Sequence, residues 1–322
     1  MKNPERFLTS PFFSLLVNTV PFRYSTWFMR TTILPLLLPH KKMIQLRLSI
    51  HTLFEKYFSE KDLNRVEAKT DEFIRHYRQK CDEDLSLINL RSRQILRLIN
   101  NAVDCEGFQN FRKALELKRG ILAVGAHFGS IILGTSALMA CFRRIPREQR
   151  RRIRVRSEPS LQRFPLIHTT MREVAAMHNA DLAVIRTERP RRDTRREIIT
   201  GLSGQHFITT NLDVVQGGTS SKTFSFSDEL SIPLPALVGA SRCALESKAV
   251  VLPWHILRSP TGTFQLKIDE PVDTALVLQN RMNYDASTDF LSNRLFSIFC
   301  TWLNDAPEQW VYWDRFQKRV KR

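Results

Sequence analysis

Apolar positions along this chain change rhythm near residue 120. Over residues 44–100 they keep a helical period, as in Leu63, Val66, Thr70, Phe73, Ile74 and Tyr77, and predict helices. A further helix over 108–118 runs out at Gly120, and the unbroken run Ile121–Ala126 predicts a buried strand. Beyond it the two rhythms alternate. Ile153–Arg156, Leu182–Arg186, His206–Leu212 and Val250–Leu257 read as strands, while 131–142, 160–179, 193–202 and 235–247 read as helices. The turn Ser259-Pro-Thr-Gly262 joins Val250–Leu257 to a strand over Thr263–Ile268. A last helix, about 287–304, leads into an aromatic tail, Trp310-Val-Tyr-Trp-Asp-Arg-Phe316.

Alternating β and α elements bury both faces of a sheet. The expected fold is therefore α/β, a mostly parallel sheet flanked by helices, with a helical N-terminal segment. No linker or repeat divides the chain, so 1–322 is expected to be one domain. Residues 1–43 form a distinct segment within it, membrane-associating or simply helical. Its apolar and aromatic residues (Phe12, Phe13, Leu15, Leu16, Trp27, Phe28, Ile33 to Leu38) are interrupted by Arg23, Arg30 and four prolines. No run reaches the roughly 20 residues that a spanning helix needs. The composition fits a segment lying in a membrane interface, with Lys41 and Lys42 at headgroup level, or a helical hairpin packed on the protein's own core.

Charge sharpens the choice of partner. The 49 Lys and Arg outnumber 32 Asp and Glu, a formal net charge of +17, which favours an anionic partner. The stretches Arg143–Arg156 and Arg186–Arg196 concentrate it and predict a basic rim for lipid headgroups or an acidic carrier protein. No zinc-ligand set, RNP-type strand or basic heptad helix accompanies them, so nucleic acid is not expected. The five cysteines are scattered without metal-ligand spacing; they read as reduced, mostly buried thiols, and no metal or cofactor is expected.

The chemistry gathers at the end of the first long strand. His127 follows that strand directly, and a helix begins a few residues later. In open α/β sheets, ligands bind beyond the carboxyl ends of strands. A histidine there can take a proton at neutral pH, and helix amides can stabilise developing negative charge.

The order of blocks carries more. A helix, Gly120, an apolar strand and His127-Phe128-Gly129 are followed by Arg172 in a helix and by Thr209-Thr-Asn-Leu-Asp213. Phe224-Ser-Phe, Pro235-Ala-Leu, Ala249-Val-Val-Leu-Pro253 and Pro307-Glu-Gln-Trp310 with Trp313 and Arg315-Phe316 complete the succession. Over about residues 40–320 this resembles the lipid A biosynthesis acyltransferases, the lauroyl/myristoyl transferase family. The resemblance implies a transferase of lipid A and lipopolysaccharide synthesis, at the cytoplasmic face of a bacterial inner membrane. It would move a fatty or related acyl group from acyl carrier protein or acyl-CoA to a hydroxyl or amine of a lipid or glycolipid acceptor. His127 would be the general base and Arg172, matched to a family arginine, a substrate-binding residue. Ser130, which could hydrogen-bond the imidazole but supplies no charge, is a second substrate-binding candidate from its position alone.

One position departs from that pattern. Where the family carries a carboxylate five residues beyond the histidine, this chain has Ile132, which can neither orient nor charge-stabilise an imidazole. Either another acid serves instead, Asp213 at a neighbouring strand end or Glu158, or the substrate itself assists. The alternative is a catalytically impaired protein of acyltransferase fold that binds lipid or acyl carrier. As for the tail, Trp310, Tyr312 and Trp313 could meet a membrane interface or the acyl chain, but such a tail more often packs the far edge of the sheet.

Overall fold

The architecture comes from a computed structural model of the full chain. It describes residues 40–58, 63–87, 92–146, 153–157, 182–186, 191–213, 222–228, 230–280 and 283–313, with isolated positions at 24, 28, 173, 174 and 176. Arg172, Glu158, nearly all of the N-terminal segment, most of the 160–179 helix and parts of both arginine-rich stretches lie outside the described residues.

From residue 40 the described chain runs through the helices α1 (His40–Phe58), α2 (Leu63–Leu87) and α3 (Ser92–Ala102). Strand β1 (Val103–Glu106), helix α4 (Phe108–Glu116), strand β2 (Ile121–Gly125) and helix α5 (Ile131–Ala140) follow. A 3-10 turn over Cys141–Arg144 closes α5. Next come β3 (Ile153–Ser157), β4 (Leu182–Arg186), α6 (Arg191–Ser203), β5 (Phe207–Asn211), the hairpin β6 (Thr223–Ser227) and β7 (Leu230–Pro233), and α7 (Pro235–Glu246). The chain finishes with β8 (Val250–Arg258), β9 (Phe264–Ile268), β10 (Val272–Asp273), α8 (Thr274–Gln279), α9 (Tyr284–Asp305) and a 3-10 turn at Pro307–Gln309.

The main sheet runs in the order β1-β9-β8-β2-β5-β3-β4, and β10 pairs with the start of β8. All neighbours along that path are parallel except β8 and β9, which form the expected hairpin. The expected α/β class with a mostly parallel sheet is therefore present. Alternation along the central strands builds the two covering layers. Ile121 and Ala123 of β2, Phe207 of β5, and Val250, Leu252, Trp254 and Ile256 of β8 enter one apolar cluster, with α4 and α5. Leu122, Val124, Ile208 and Val251, one residue out of step, enter the other, with α7 and α9. This is the period-two geometry of a strand buried on both faces.

Helix α5 is mostly apolar, and Ile132 through Met139, Thr135 and Ser136 included, are all buried. It presses close to the sheet because Gly134 has no side chain. A Cβ there would stand 2.8 Å from the Trp254 ring and from Ile256.

Candidate active site

Strand β2 ends at Gly125, and the chain leaves the sheet through Ala126 to His127. Two features fix this exit. Phe128 is fully buried among His255, Phe299 and Trp302, with ring centroids 5.9, 6.1 and 6.4 Å away. Gly129 then takes a positive φ of 48°, and a Cβ at that position would lie 2.8 Å from the Ile256 carbonyl oxygen. A side chain at 129 would thus meet both backbone strain and a clash. The His-Phe-Gly sequence places an anchor and a tight turn directly after the histidine.

The aromatic tail docks on this turn. The Val311 amide donates to the His127 carbonyl at 2.9 Å, the Gly129 amide donates to the Gln309 carbonyl at 3.2 Å, and Phe128 and Trp310 form an antiparallel bridge. The Gln309 side chain clamps the backbone of Arg258, accepting from its amide at 2.7 Å and donating to its carbonyl at 3.0 Å. Trp310 and Trp313 are fully buried and Tyr312 is 4% exposed. The described part of the tail is therefore part of the site, not a cover on the far edge of the sheet, and the rings of Trp310, Tyr312 and Trp313 are buried within the fold. The reason is the short ladder with residues 127–129, which only the folded chain brings together.

Asp213 comes from two residues beyond the end of β5. Register does the positioning: Gly125 pairs with Asn211, and the Leu212 amide donates to the Gly125 carbonyl at 2.8 Å. The carboxylate, fully buried, sits at the His127 ring with Nδ1 to Oδ1 at 2.8 Å. Its other oxygen, Oδ2, accepts from the His127 backbone amide at 2.8 Å and from the Trp310 indole at 2.7 Å. Three N–H donors offset the burial of one charge. A carboxylate at Nδ1 keeps the proton on that nitrogen in the neutral ring and leaves the lone pair on Nε2. Tyr312 and Asn211 lie at that second nitrogen, with the hydroxyl 3.2 Å and the amide nitrogen 3.3 Å away. Tyr312 also stacks on the imidazole, centroids 4.1 Å apart and planes 25° apart.

Of the residues singled out in the sequence, His127 and Asp213 are brought together. Ser130 is fully buried, and its carbonyl accepts the first turn of α5 from Gly134 at 2.9 Å. Ile132 is 5% exposed and packs in the apolar cluster beneath α5. Asn211 and Tyr312 were missed. Period-two alternation offered a signal for each, since Asn211 precedes Asp213 by two residues and Tyr312 follows Trp310 by two.

A buried ionic group flanks the same turn. Arg258, at the end of β8, pairs with Glu83 of α2 through two contacts, one of them Nε to Oε1 at 2.9 Å. Arg258 also lies 3.2 Å from Nδ1 of His76. Burial, and after it the Arg258 charge, push the His76 pKa down to about 4. A small cavity bordered by Gly129, Val311 and Arg258 adjoins this group; neither His127 nor Asp213 lines it. Among the described residues no three His, Cys, Asp or Glu side chains come together as a metal ion would require.

The chain matches no protein-family model, and no curated protein is significantly similar to it in sequence.

Proposed function

We propose that the chain is an acyltransferase in which His127, oriented by Asp213, is the general base. It takes the proton of an acceptor hydroxyl or amine as that group attacks the carbonyl of an acyl thioester on acyl carrier protein or coenzyme A. The observation that carries the reading is the 2.8 Å contact between Nδ1 and a fully buried carboxylate. It supplies the acid that Ile132 cannot, and it does so at the carboxyl end of the central parallel strands, where α/β sheets bind ligands. Asp213 holds the imidazole in the base-competent tautomer and stabilises the imidazolium formed in the transition state. The order of sequence blocks adds the acceptor class, a lipid or glycolipid in the manner of lipid A synthesis. Among the described residues no helix is long and apolar enough to cross a membrane. The same resemblance supplies the proposed place of work, the cytoplasmic face of a bacterial inner membrane.

The test is turnover of dodecanoyl-acyl carrier protein and dodecanoyl-coenzyme A by the purified chain, with and without extracted bacterial lipid as acceptor. Thiol release and a labelled lipid product are expected, and His127→Ala should lower the rate by at least about 10³-fold. A His127→Ala variant as active as the parent would overturn the assignment. A parent that binds acyl donor without turning it over would favour the impaired, binding-only alternative.

A further inference from the structure

We propose that the Asn211 amide and the Tyr312 hydroxyl form the oxyanion site that serves His127. The proposal rests on the acyl-transfer reading above and adds to it the groups that would hold the carbonyl oxygen of the acyl donor.

The argument starts from the single lone pair on Nε2. With Nδ1 held by Asp213, Nε2 can accept one good hydrogen bond, directed in the plane of the ring. Two donors crowd it, at 3.2 and 3.3 Å. Tyr312 stacks on the imidazole, so its hydroxyl reaches Nε2 from the face of the ring, away from the lone-pair direction. An attacking hydroxyl bound on that lone pair displaces the Asn211 contact and leaves the Tyr312 oxygen where it is. Both groups then stand beside the attacking oxygen, with N–H and O–H hydrogens to donate.

A carbonyl under attack places its oxygen on the order of 2.3 Å from the nucleophile, within reach of donors arranged in this way. The electron balance is complete without a further reagent. The acceptor O–H gives its proton to Nε2 as the O–C bond forms, and the carbonyl π pair moves onto oxygen, where Asn211 and Tyr312 donate to it. When the pair returns, the C–S bond breaks and the departing thiolate takes the proton from Nε2.

Burial strengthens the effect. Tyr312 is 4% exposed and His127 8%, so the developing charge would be screened by little water. Neither donor is a cation, and the step as written leaves the proton of each in place.

The experiment measures thiol release from dodecanoyl-coenzyme A by the full chain and by Tyr312→Phe, Asn211→Leu and His127→Ala. Tyr312→Phe retains the stacked ring and removes only the hydroxyl. We expect kcat to fall about 10²-fold in Tyr312→Phe and in Asn211→Leu, with KM within about threefold of the parent and the pH of half-maximal kcat unmoved. A purely structural tyrosine would leave kcat intact in any variant with an unchanged melting temperature. If His127→Ala is inactive while Tyr312→Phe keeps full kcat or gains activity, the oxyanion assignment is overturned and the general-base reading stands. If His127→Ala is as active as the parent, or the parent releases no thiol, both are overturned.

Discussion

Replacing Asp213 by Asn tests the site through one proton. The carboxylate meets three N–H donors on two oxygens: Oδ2 takes the His127 amide and the Trp310 indole, at 2.8 and 2.7 Å, and Oδ1 takes Nδ1 at 2.8 Å. An amide has one oxygen. Two of the three donors, the backbone N–H and the indole, cannot change their protonation, so the Asn oxygen must take the Oδ2 place. Its NH2 group then faces Nδ1, and two donors cannot share a hydrogen bond. The imidazole resolves the conflict by moving its proton to Nε2, which leaves it with no lone pair for the hydroxyl that the proposed reaction would activate.

The same exchange of acid for amide in a serine protease costs about 10⁴ in rate through this tautomer fault. A loss of about 10³ to 10⁴ in thioester turnover is expected here. Stability should fall by only about 1–3 kcal/mol, because both fixed donors keep an acceptor. By contrast, Asp213→Ala would strand three buried donors and threaten the fold. Nitrogen-15 NMR of the imidazole reads the tautomer directly, independent of any substrate. If Asp213→Asn retains the proton on Nδ1, or turns over thioester within tenfold of the parent, the account of the dyad is wrong.

Three further predictions concern groups outside the dyad. His255 is buried with no hydrogen-bond partner on either ring nitrogen among the described residues, and burial, followed by the Lys267 charge, lowers its pKa from 6.5 to about 3. Because the unfolded chain takes up that proton first, stability is full above pH 6.5 and drains as pH falls toward 3. At pH 4.5 the loss is about 3 kcal/mol; His255→Phe should flatten the acid limb of the denaturation profile, and an unchanged limb would contradict the linkage. Glu83→Leu leaves the Arg258 guanidinium buried without its carboxylate and should cost about 3–5 kcal/mol in urea denaturation, largely restored by adding Arg258→Met. Equal stability of the parent and Glu83→Leu would show that the pair contributes nothing. Finally, Cys105 on β1 and Cys141 after α5 hold their sulfurs 3.8 Å apart, and the contact draws the Cys105 thiol below its ordinary range while pushing Cys141 above. Diamide should join them, lower the mass by two hydrogens and, for a loop of this length, stabilise the fold by about 4 kcal/mol; oxidation that spares Cys105→Ser is expected, and failure to cross-link the parent refutes the geometry.

How much of this was legible depended on how local each cause is. The strand before His127 was plain because all five residues of β2 are buried, which leaves an unbroken apolar run. Leu182–Arg186 begins and ends where the apolar pattern places it. Strand β1 escaped because it is short, on the edge of the sheet and half exposed, so Asp104 and Glu106 alternate with only two apolar positions. The β6–β7 hairpin escaped although its strands alternate, because they are only five and four residues long and the turn between them holds Asp228 with no glycine. At the site, Asp213 could be named as a candidate acid from its place at a strand end. Tyr312 could not be placed, because nothing local says that residues 309–311 pair with residues 127–129. That contact spans more than 180 positions, and its determinants (the Gln309 clamp on Arg258, and Trp310 reaching Asp213) are themselves long-range.

The position of the acid changes what holds the site together. A carboxylate on the first turn of α5 would depend on how that helix starts. Here the first turn is Ile131, Ile132 and Leu133, with Ile132 and Leu133 buried, and it secures the helix to the sheet through apolar packing. The acid comes instead from the adjoining parallel strand, so the distance between Nδ1 and Oδ1 is set by the register of β2 on β5 and by the Leu212 bond to Gly125. Backbone pairing at a buried strand pair varies less than the rotamers of a helix terminus, and Trp310 pins the carboxylate from the opposite side. Such a dyad is stiff: it survives changes along α5 but not a shift of the strand ends or loss of the tail. An acid introduced at Ile132 would be buried in the apolar cluster that α5 packs into, and it would find Nδ1 of His127 already held by Asp213.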